Sequence, residues 1–312
     1  MSSGKFIYSL RNSLCNVKRL LTTKEHNYVK SNLIIQSLRR VSNSSIYKNK
    51  KENTFTQEDG VQYTHFGYEK VAENIKSEKV HDVFKNVADS YDLMNDLMSA
   101  GTHRLWKEYF VKCLNLKSGM KILDMAGGTG DIAFKMLDHA PSSEPTIDIV
   151  ISDINQAMLD VGKKRACKTK ILDFFSEFKW VCADAESLPF EDESFDLYTI
   201  AFGIRNTTHI DKVLDEAYRV LKPGGRFSCL EFSNVSNPLI RSIYDTYSFQ
   251  VIPVMGELFA SDWKSYQYLV ESIRQFPDQE AFSNLIYNAG FSNVTYHNLT
   301  FGVVSIHDGF KL

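Results

Sequence analysis

The sequence predicts an α/β fold in which an open parallel sheet ends in an antiparallel strand and carries helices on both faces. Three observations lead there. Short apolar runs alternate with helix-period segments from Lys121 onward, a glycine-rich turn follows the first run, and the last two runs are joined by a turn too short for a crossover. In chain order the strand-like runs are Lys121 to Ala126, Asp148 to Ile154, Phe178 to Ala183, Phe195 to Phe202 and Arg226 to Phe232. Helical patterns separate them at Ile132 to Leu137, Gln156 to Ala166 and Ile210 to Leu221. That order gives parallel neighbours buried on both sides. After Pro277, Asp278 is placed to cap a helix running through Ala289, which Gly290 stops. The strands Asn293 to Leu299 and Gly302 to Asp308 then follow and must pair antiparallel. Upstream, Val71, Ile75, Val80, Val83, Phe84, Val87 and Tyr91 recur at threes and fours, which predicts helix from about Tyr68. Residues 46–67 are polar and without period and read as a linker, so one domain is expected over 68–312.

With 43% apolar and 24% charged residues, the 312-residue chain has the composition of a globular protein, and no apolar run reaches the length of a membrane span. Its net charge of −2 conceals an asymmetry: residues 1–51 hold eleven Lys or Arg and one acid, Glu25. Basic residues dispersed among Leu, Ile and Val over residues 1–45 read as a mitochondrial transit peptide. The same stretch lacks the aromatic platforms of a nucleic-acid arm, so no nucleic-acid partner is expected. Cys15, Cys113, Cys167, Cys182 and Cys229 are odd in number and scattered, which indicates neither a disulfide framework nor a metal site.

The run KILDM leads into AGGTGD and then a helix. Gly127, Gly128 and Gly130 let the backbone turn sharply and a ligand approach the free N–H groups of the helix N-terminus. The stretch also satisfies the loose glycine pattern of dinucleotide enzymes, but Asp131 would set a carboxylate beside a pyrophosphate. S-adenosyl-L-methionine, with an ammonium and a sulfonium and no phosphate, suits an acidic loop better. Asp153, ending the next strand, is placed to accept both ribose hydroxyls. Asp184, at the end of the third strand, is placed either to accept the adenine amino group beside the backbone of Ala185 or to cap the following turn.

Two further stretches, YDLMNDLMSAGTHRLW from Tyr91 and RVLKPGGRFSCLEFS from Arg219, resemble the ubiquinone and menaquinone biosynthesis C-methyltransferases, and the likeness extends over nearly all of Val80 to Leu312. The resemblance implies a class I methyltransferase (Rossmann-like) fold, cofactor contacts at Thr129, Asp153, Asp184 and Ala185, and a polyprenyl benzoquinol substrate. It also implies other ubiquinone-synthesis enzymes as partners in a multi-subunit complex, and peripheral contact with the matrix side of the mitochondrial inner membrane. A menaquinone precursor is the alternative substrate, and a scaffolding subunit the alternative role.

Methyl transfer to a ring carbon needs an electron-rich quinol, a stabilised phenolate and a base for the ring proton. The stretch IAFGIRNTTH leaves the fourth strand at its ligand-facing end and offers Arg205 and Asn206 as catalytic residues. Arg205 is expected to stabilise the phenolate, directly or through a water, with Asn206 orienting it; an ion pair with Glu231 is the competing role, and the two are compatible. Tyr91, Asp92, Asn95 and His103 are candidates to close the site. Residues 234–277 form an insertion crowded with aromatic side chains, among them Tyr244, Tyr247, Tyr266 and Tyr268. It reads as a lid over a prenyl tail, as a homodimer or complex interface, or as ordinary core.

Overall fold

The computed structural model describes residues 62–87, 95–96, 99, 101–141, 147–168, 178–235, 237–248 and 263–312. Residues 1–45, read as a targeting segment, Tyr91, Asp92 and residues 249–262 of the insertion therefore lie outside the described residues.

A seven-stranded sheet is built from β3 (Lys121–Met125), β4 (Asp148–Asp153), β5 (Lys179–Cys182), β6 (Phe195–Ala201), β7 (Leu221–Phe232), β8 (Ser292–Leu299) and β9 (Val304–Phe310), in the spatial order β5-β4-β3-β6-β7-β9-β8. The neighbours from β5 to β7 pair parallel, while β9 pairs antiparallel with both β7 and β8. The expected terminal antiparallel strand is thus β9, slotted between β7 and the edge strand β8.

Strand parity builds the two cores. Leu123, Met125, Val150, Tyr198 and Ile200 point to one face, where α5 (Ile210–Val220) and α8 (Gln279–Asn288) cover them. Ile122, Ile149, Ile151 and Leu197 point to the other, against α2 (Thr102–Cys113) and α3 (Asp131–Asp138). The central strands β3, β4 and β6 are mostly apolar on both faces for that reason, as a doubly covered sheet requires. The exception is instructive: Asp124 pairs in register with Thr199, and both are buried on the α2 and α3 face.

Most boundaries agree with the sequence to within two residues, and Asp278 does cap α8, its side chain accepting the Ala281 N–H at 3.0 Å. Two expectations need correction. Tyr63–Phe66, read as linker, forms β1, and Glu69–Ala72, read as helix, forms β2 of an antiparallel hairpin. Gly67 turns it at φ 60°, a conformation glycine adopts cheaply, and Phe66 stacks on Tyr268 with ring centroids 4.1 Å apart. Helix α1 (Glu73–Val87) begins only after the hairpin. The second correction is at the start of β7, which takes in the KPGG stretch from Leu221.

Of the insertion, α6 (Pro238–Thr246) and α7 (Trp263–Gln275) are described. The remaining helix, α4 (Gln156–Lys168), follows β4.

Candidate active site

The chain runs β3, β4, β5 outward on one side and returns to β6 on the other side of β3, so the order of the sheet reverses between β3 and β6. Loops diverge at such a reversal and leave a crevice at the strands' carboxyl ends. A cleft of about 270 Å³ lies there, floored by the glycine turn and Asp153, walled by Asp184 and Ala185, and roofed by Glu73, Val80 and His81 of α1.

The glycine turn is shaped by what surrounds it. A Cβ on Gly127 would stand 2.7 Å from Ile151 Cγ2 and 2.9 Å from Asp124 Oδ2, so only glycine fits. Gly130, at φ 80°, opens α3 in a left-handed conformation. Thr129 is buried between them and lines the cleft. Asp153 braces the turn from below, Oδ2 accepting the Gly128 N–H at 3.0 Å and Oδ1 the Asn155 N–H at 2.8 Å. Burial outweighs these two hydrogen bonds and pushes its carboxyl up to about 6. Asp184 Oδ1 accepts the Glu186 N–H at 2.9 Å, so the turn-capping role is present while the residue still faces the cleft.

Two residues not singled out from the sequence complete the floor. Asp124 accepts the Thr199 hydroxyl at 2.9 Å through Oδ1, but its buried Oδ2 has no partner among the described residues. Burial, with Asp131 and Asp153 nearby, raises this carboxyl to about 7 against the help of Thr199. Lys107, on the buried face of α2, donates to Asp131 Oδ2 at 2.8 Å, and Arg165 reaches Asp131 Oδ1 at 3.4 Å. Burial works to raise the Asp131 carboxyl, but these cations and Lys135 hold it down at about 2. The bare acid inferred from AGGTGD is therefore a neutralised one, and the charge that faces a ligand here is shared among Asp124, Asp131 and Lys107.

Of the catalytic candidates, Asn206 lines the cleft and Arg205 turns inward. Arg205 Nη1 donates to Glu231 Oε1 at 2.9 Å and to the Phe202 carbonyl at 2.6 Å, with the guanidinium 5.4 Å from the Phe232 ring. Burial raises the Glu231 carboxyl, and Arg205 counters it. The Tyr268 hydroxyl donates to Asn206 Oδ1 at 3.1 Å, tying the cleft to α7. His103 does not close the cleft: it is buried at the start of α2, 2.9 Å from Asp96 Oδ1, and lines neither cavity described here. Asn95 lines neither cavity either; its carbonyl accepts the Ser99 hydroxyl at 2.7 Å.

A second cavity, of about 220 Å³, opens behind this junction and is mostly apolar, with Trp106, Phe232, Tyr244, Tyr247, Leu269 and Ile273 in its walls beside Arg274 and several hydroxyl side chains. The Phe202 and Phe232 rings, 4.9 Å apart, stand between the two, since Phe202 lines the first cavity and Phe232 the second.

A glycine turn at the sheet reversal and a strand-end carboxylate are shared by many nucleotide-binding proteins; what separates them is the match of residues 72–311 to the model of the ubiE/COQ5 methyltransferase family. The chain belongs to this family. Among curated relatives of ubiE/COQ5 type, the Drosophila melanogaster "2-methoxy-6-polyprenyl-1,4-benzoquinol methylase, mitochondrial" is 59% identical over 257 residues, covering 80% of this chain and 85% of that one. The Homo sapiens protein of the same name is 51% identical over 287 residues, covering 82% and 87%. Among solved structures, a SAM-dependent methyltransferase from Thermotoga maritima superposes with a TM-score of 0.53 at 19% identity, over 75% of this chain and 100% of that one, and shares its fold.

As a ubiE/COQ5 methyltransferase the chain uses S-adenosylmethionine, and its residues fit that donor. Asp124 Oδ2, buried and without a partner among the described residues, suits a hydrogen-bonding cation such as an ammonium, and Lys107 and Asp153 line the same cleft.

Proposed function

We propose that this chain transfers a methyl group to a ring carbon of 2-methoxy-6-polyprenyl-1,4-benzoquinol, a step of ubiquinone synthesis in mitochondria. The observation that carries the reading is identity above 50% to relatives whose names state that substrate, spread across most of both chains.

When bound, S-adenosylmethionine supplies an electrophilic methyl on a sulfonium. The protein's part is to hold, orient and manage protons. Asp153 takes the ribose hydroxyls, Asp184 and the Ala185 backbone take the adenine edge, and Thr129 closes the glycine turn. Asp124 and Lys107 take the ammonium and carboxylate of the amino-acid end. The quinol ring belongs at the junction where Asn206 meets Tyr268. Arg205 is anchored by Glu231 through Nη1, while its buried Nε keeps a donor without a partner among the described residues. Arg205 lines neither cavity, so that donor stabilises negative charge on the ring oxygen through a water, while Asn206, which lines the cleft, orients the hydroxyl. A cation fixed in a buried pair needs no reorganisation as the charge develops, which is why the ion-pair role and the catalytic role are compatible.

The aromatic insertion excludes water, and the apolar cavity behind Phe202 and Phe232 takes the beginning of the tail. A polyprenylated substrate stays in lipid, and the enzyme reaches it by peripheral contact with the inner membrane, in company with other enzymes of the same synthesis; no helix among the described residues is long and apolar enough to cross a membrane.

The test is turnover of a short-chain, water-soluble benzoquinol by the full chain under reducing conditions, with isotope-labelled methyl donor. One carbon-bound methyl per donor consumed is expected. Arg205→Ala should lower kcat by roughly 10² to 10³. Preference for a demethylnaphthoquinol in the same assay would move the substrate to the menaquinone series.

A further inference from the structure

Outside the cleft, the described surface carries few large exposed apolar side chains, and three of them share one rim. Leu105 and Tyr109 stand four residues apart on the outer face of α2, and Phe301 sits at the tip between β8 and β9 with 71% of its surface exposed. Two contacts bring these elements together: the Trp106 indole N–H donates to Thr300 Oγ1 at 2.8 Å, and the Tyr109 ring stacks on His297 with centroids 5.8 Å apart. Trp106, Thr102 and Thr300 also line the apolar cavity. The rim is therefore continuous with the wall of the chamber behind it.

The tip itself is an expensive way to make a turn. Thr300 at φ 48° and Phe301 at φ 60° are consecutive non-glycine residues in the left-handed region, where each costs on the order of 1 kcal/mol and where Gly, Asn or Asp is the ordinary choice. A strained backbone that presents a phenylalanine to water, next to a mostly apolar cavity, has no use in packing. It has one if the phenylalanine is not in water during turnover.

We propose that the Leu105, Tyr109 and Phe301 rim is the surface by which this chain docks on a lipid bilayer, so that the apolar cavity opens onto the acyl region and receives a prenyl tail without exposing it to water. This rests on the proposed polyprenyl substrate, which partitions into the bilayer. The rim is apolar rather than basic: its exposed charges, Arg104 and Lys112, are paired with Asp96 and Glu108. Docking is accordingly driven by side-chain burial and is insensitive to salt, unlike any attraction from the basic residues of 1–51.

The full chain is to be floated with phosphatidylcholine vesicles at high salt, which screens the basic segment, and compared with the double variant Leu105→Gln, Phe301→Asn. Asparagine tolerates the left-handed conformation, so the variant keeps or gains thermal stability. Vesicle binding is expected to fall by at least about tenfold, the scale of one lost apolar side chain. Turnover of a long-chain quinol embedded in the vesicles should fall with it, while turnover of the water-soluble quinol stays unchanged. Wild-type binding in the double variant, failure of the wild-type chain to bind, or a variant that loses self-association on sedimentation but not lipid, would overturn the proposal; in the last case a second copy of the chain covers the rim. An equal loss in Tyr287→Ser, an exposed tyrosine of α8 that lines neither cavity, would also overturn it. Absent turnover of the soluble quinol by the wild-type chain would count against the proposed reaction alone, because vesicle binding is read without it.

Discussion

Asp153 and Asp124 give the donor site a pH dependence whose sign follows from their burial. Asp153 is raised to about 6 and Asp124 to about 7, so in the free protein both hold protons more tightly than an exposed carboxyl would. Hydroxyls and an ammonium donate to the carboxylate forms, so binding favours deprotonation and affinity rises with pH through these values. Calorimetric titration from pH 5 to pH 8 should show a dissociation constant that falls by up to about a hundredfold per pH unit below 6, where both carboxyls must lose a proton, by up to about tenfold between 6 and 7, and levels off above 7. Asp153→Asn should weaken binding throughout and remove the lower inflection; an unaltered profile would place the titrating group elsewhere. Lys107→Met tests the other end of the donor: losing a charge-assisted hydrogen bond is worth about 1.5 to 3 kcal/mol, or roughly 10- to 100-fold in affinity, and the loss should shrink for a decarboxylated donor analogue. Both residues could have been suspected from sequence. Asp124 is the one acid inside the apolar run KILDM, and Lys107 falls four residues after His103 on the helix face that also carries Phe110 and Val111. What the sequence could not show is that Lys107 neutralises Asp131, because the pair joins α2 to α3 across a loop, a β-strand and a glycine turn.

At the scale of elements, the glycine turn and the sheet under it were legible because their signals are local: short apolar runs bounded by turn residues, a strand running into glycines, an Asp at an N-cap. The hairpin β1–β2 was not, since four-residue strands reading YTHF and EKVA offer too little alternation to outvote the helical spacing that follows. Its stability comes from distant contacts, the Phe66–Tyr268 stack and the Tyr68 N–H to Glu271 Oε2 at 3.0 Å. Phe66→Ala should therefore loosen α7 and the α1 roof together, seen as faster donor dissociation in stopped-flow with a small change in melting temperature. In the turn, Gly127→Ala meets Ile151 and the Asp124 side chain and should cost about 1 to 3 kcal/mol as an overpacked site. Gly130→Ala adds backbone strain at φ 80° to a Cβ 3.1 Å from the Phe134 and Trp180 rings, and should cost at least about 1 to 2 kcal/mol. Thermal melts of the two variants check the ranking, and loss of donor binding should be steeper for Gly127→Ala because its clash displaces Asp124.

For the whole molecule, the arrangement is two chambers set on either side of the strand ends, polar in front and apolar behind, with Arg205, Glu231, Phe202 and Phe232 forming the partition. The parallel order places the glycine turn and Asn206 on neighbouring strands, while the returning strands β8 and β9 bring Thr300 and Val303 to the rear chamber from the far end of the sequence. A chain read segment by segment shows most of the first chamber, whose floor and walls follow one another from Asp124 to His209 while its α1 roof and Lys107 come from upstream, and hides the second, whose walls come from α2, β7, α6, α7 and the β8–β9 tip. This division of labour separates two kinds of binding energy. Tyr247 lines the rear chamber alone, so truncating it removes contact with the tail and leaves the donor's pocket as it is. Tyr247→Ala should raise KM for a prenylated quinol by about tenfold, the worth of one buried side chain, while kcat and the donor dissociation constant stay within twofold. The effect should vanish for a quinol without a tail, because uniform binding lost at a remote group has no hold on the reacting carbon. Equal losses for both substrates would mean that Tyr247 supports the fold of the partition, and a loss confined to donor binding would place the tail outside the rear chamber.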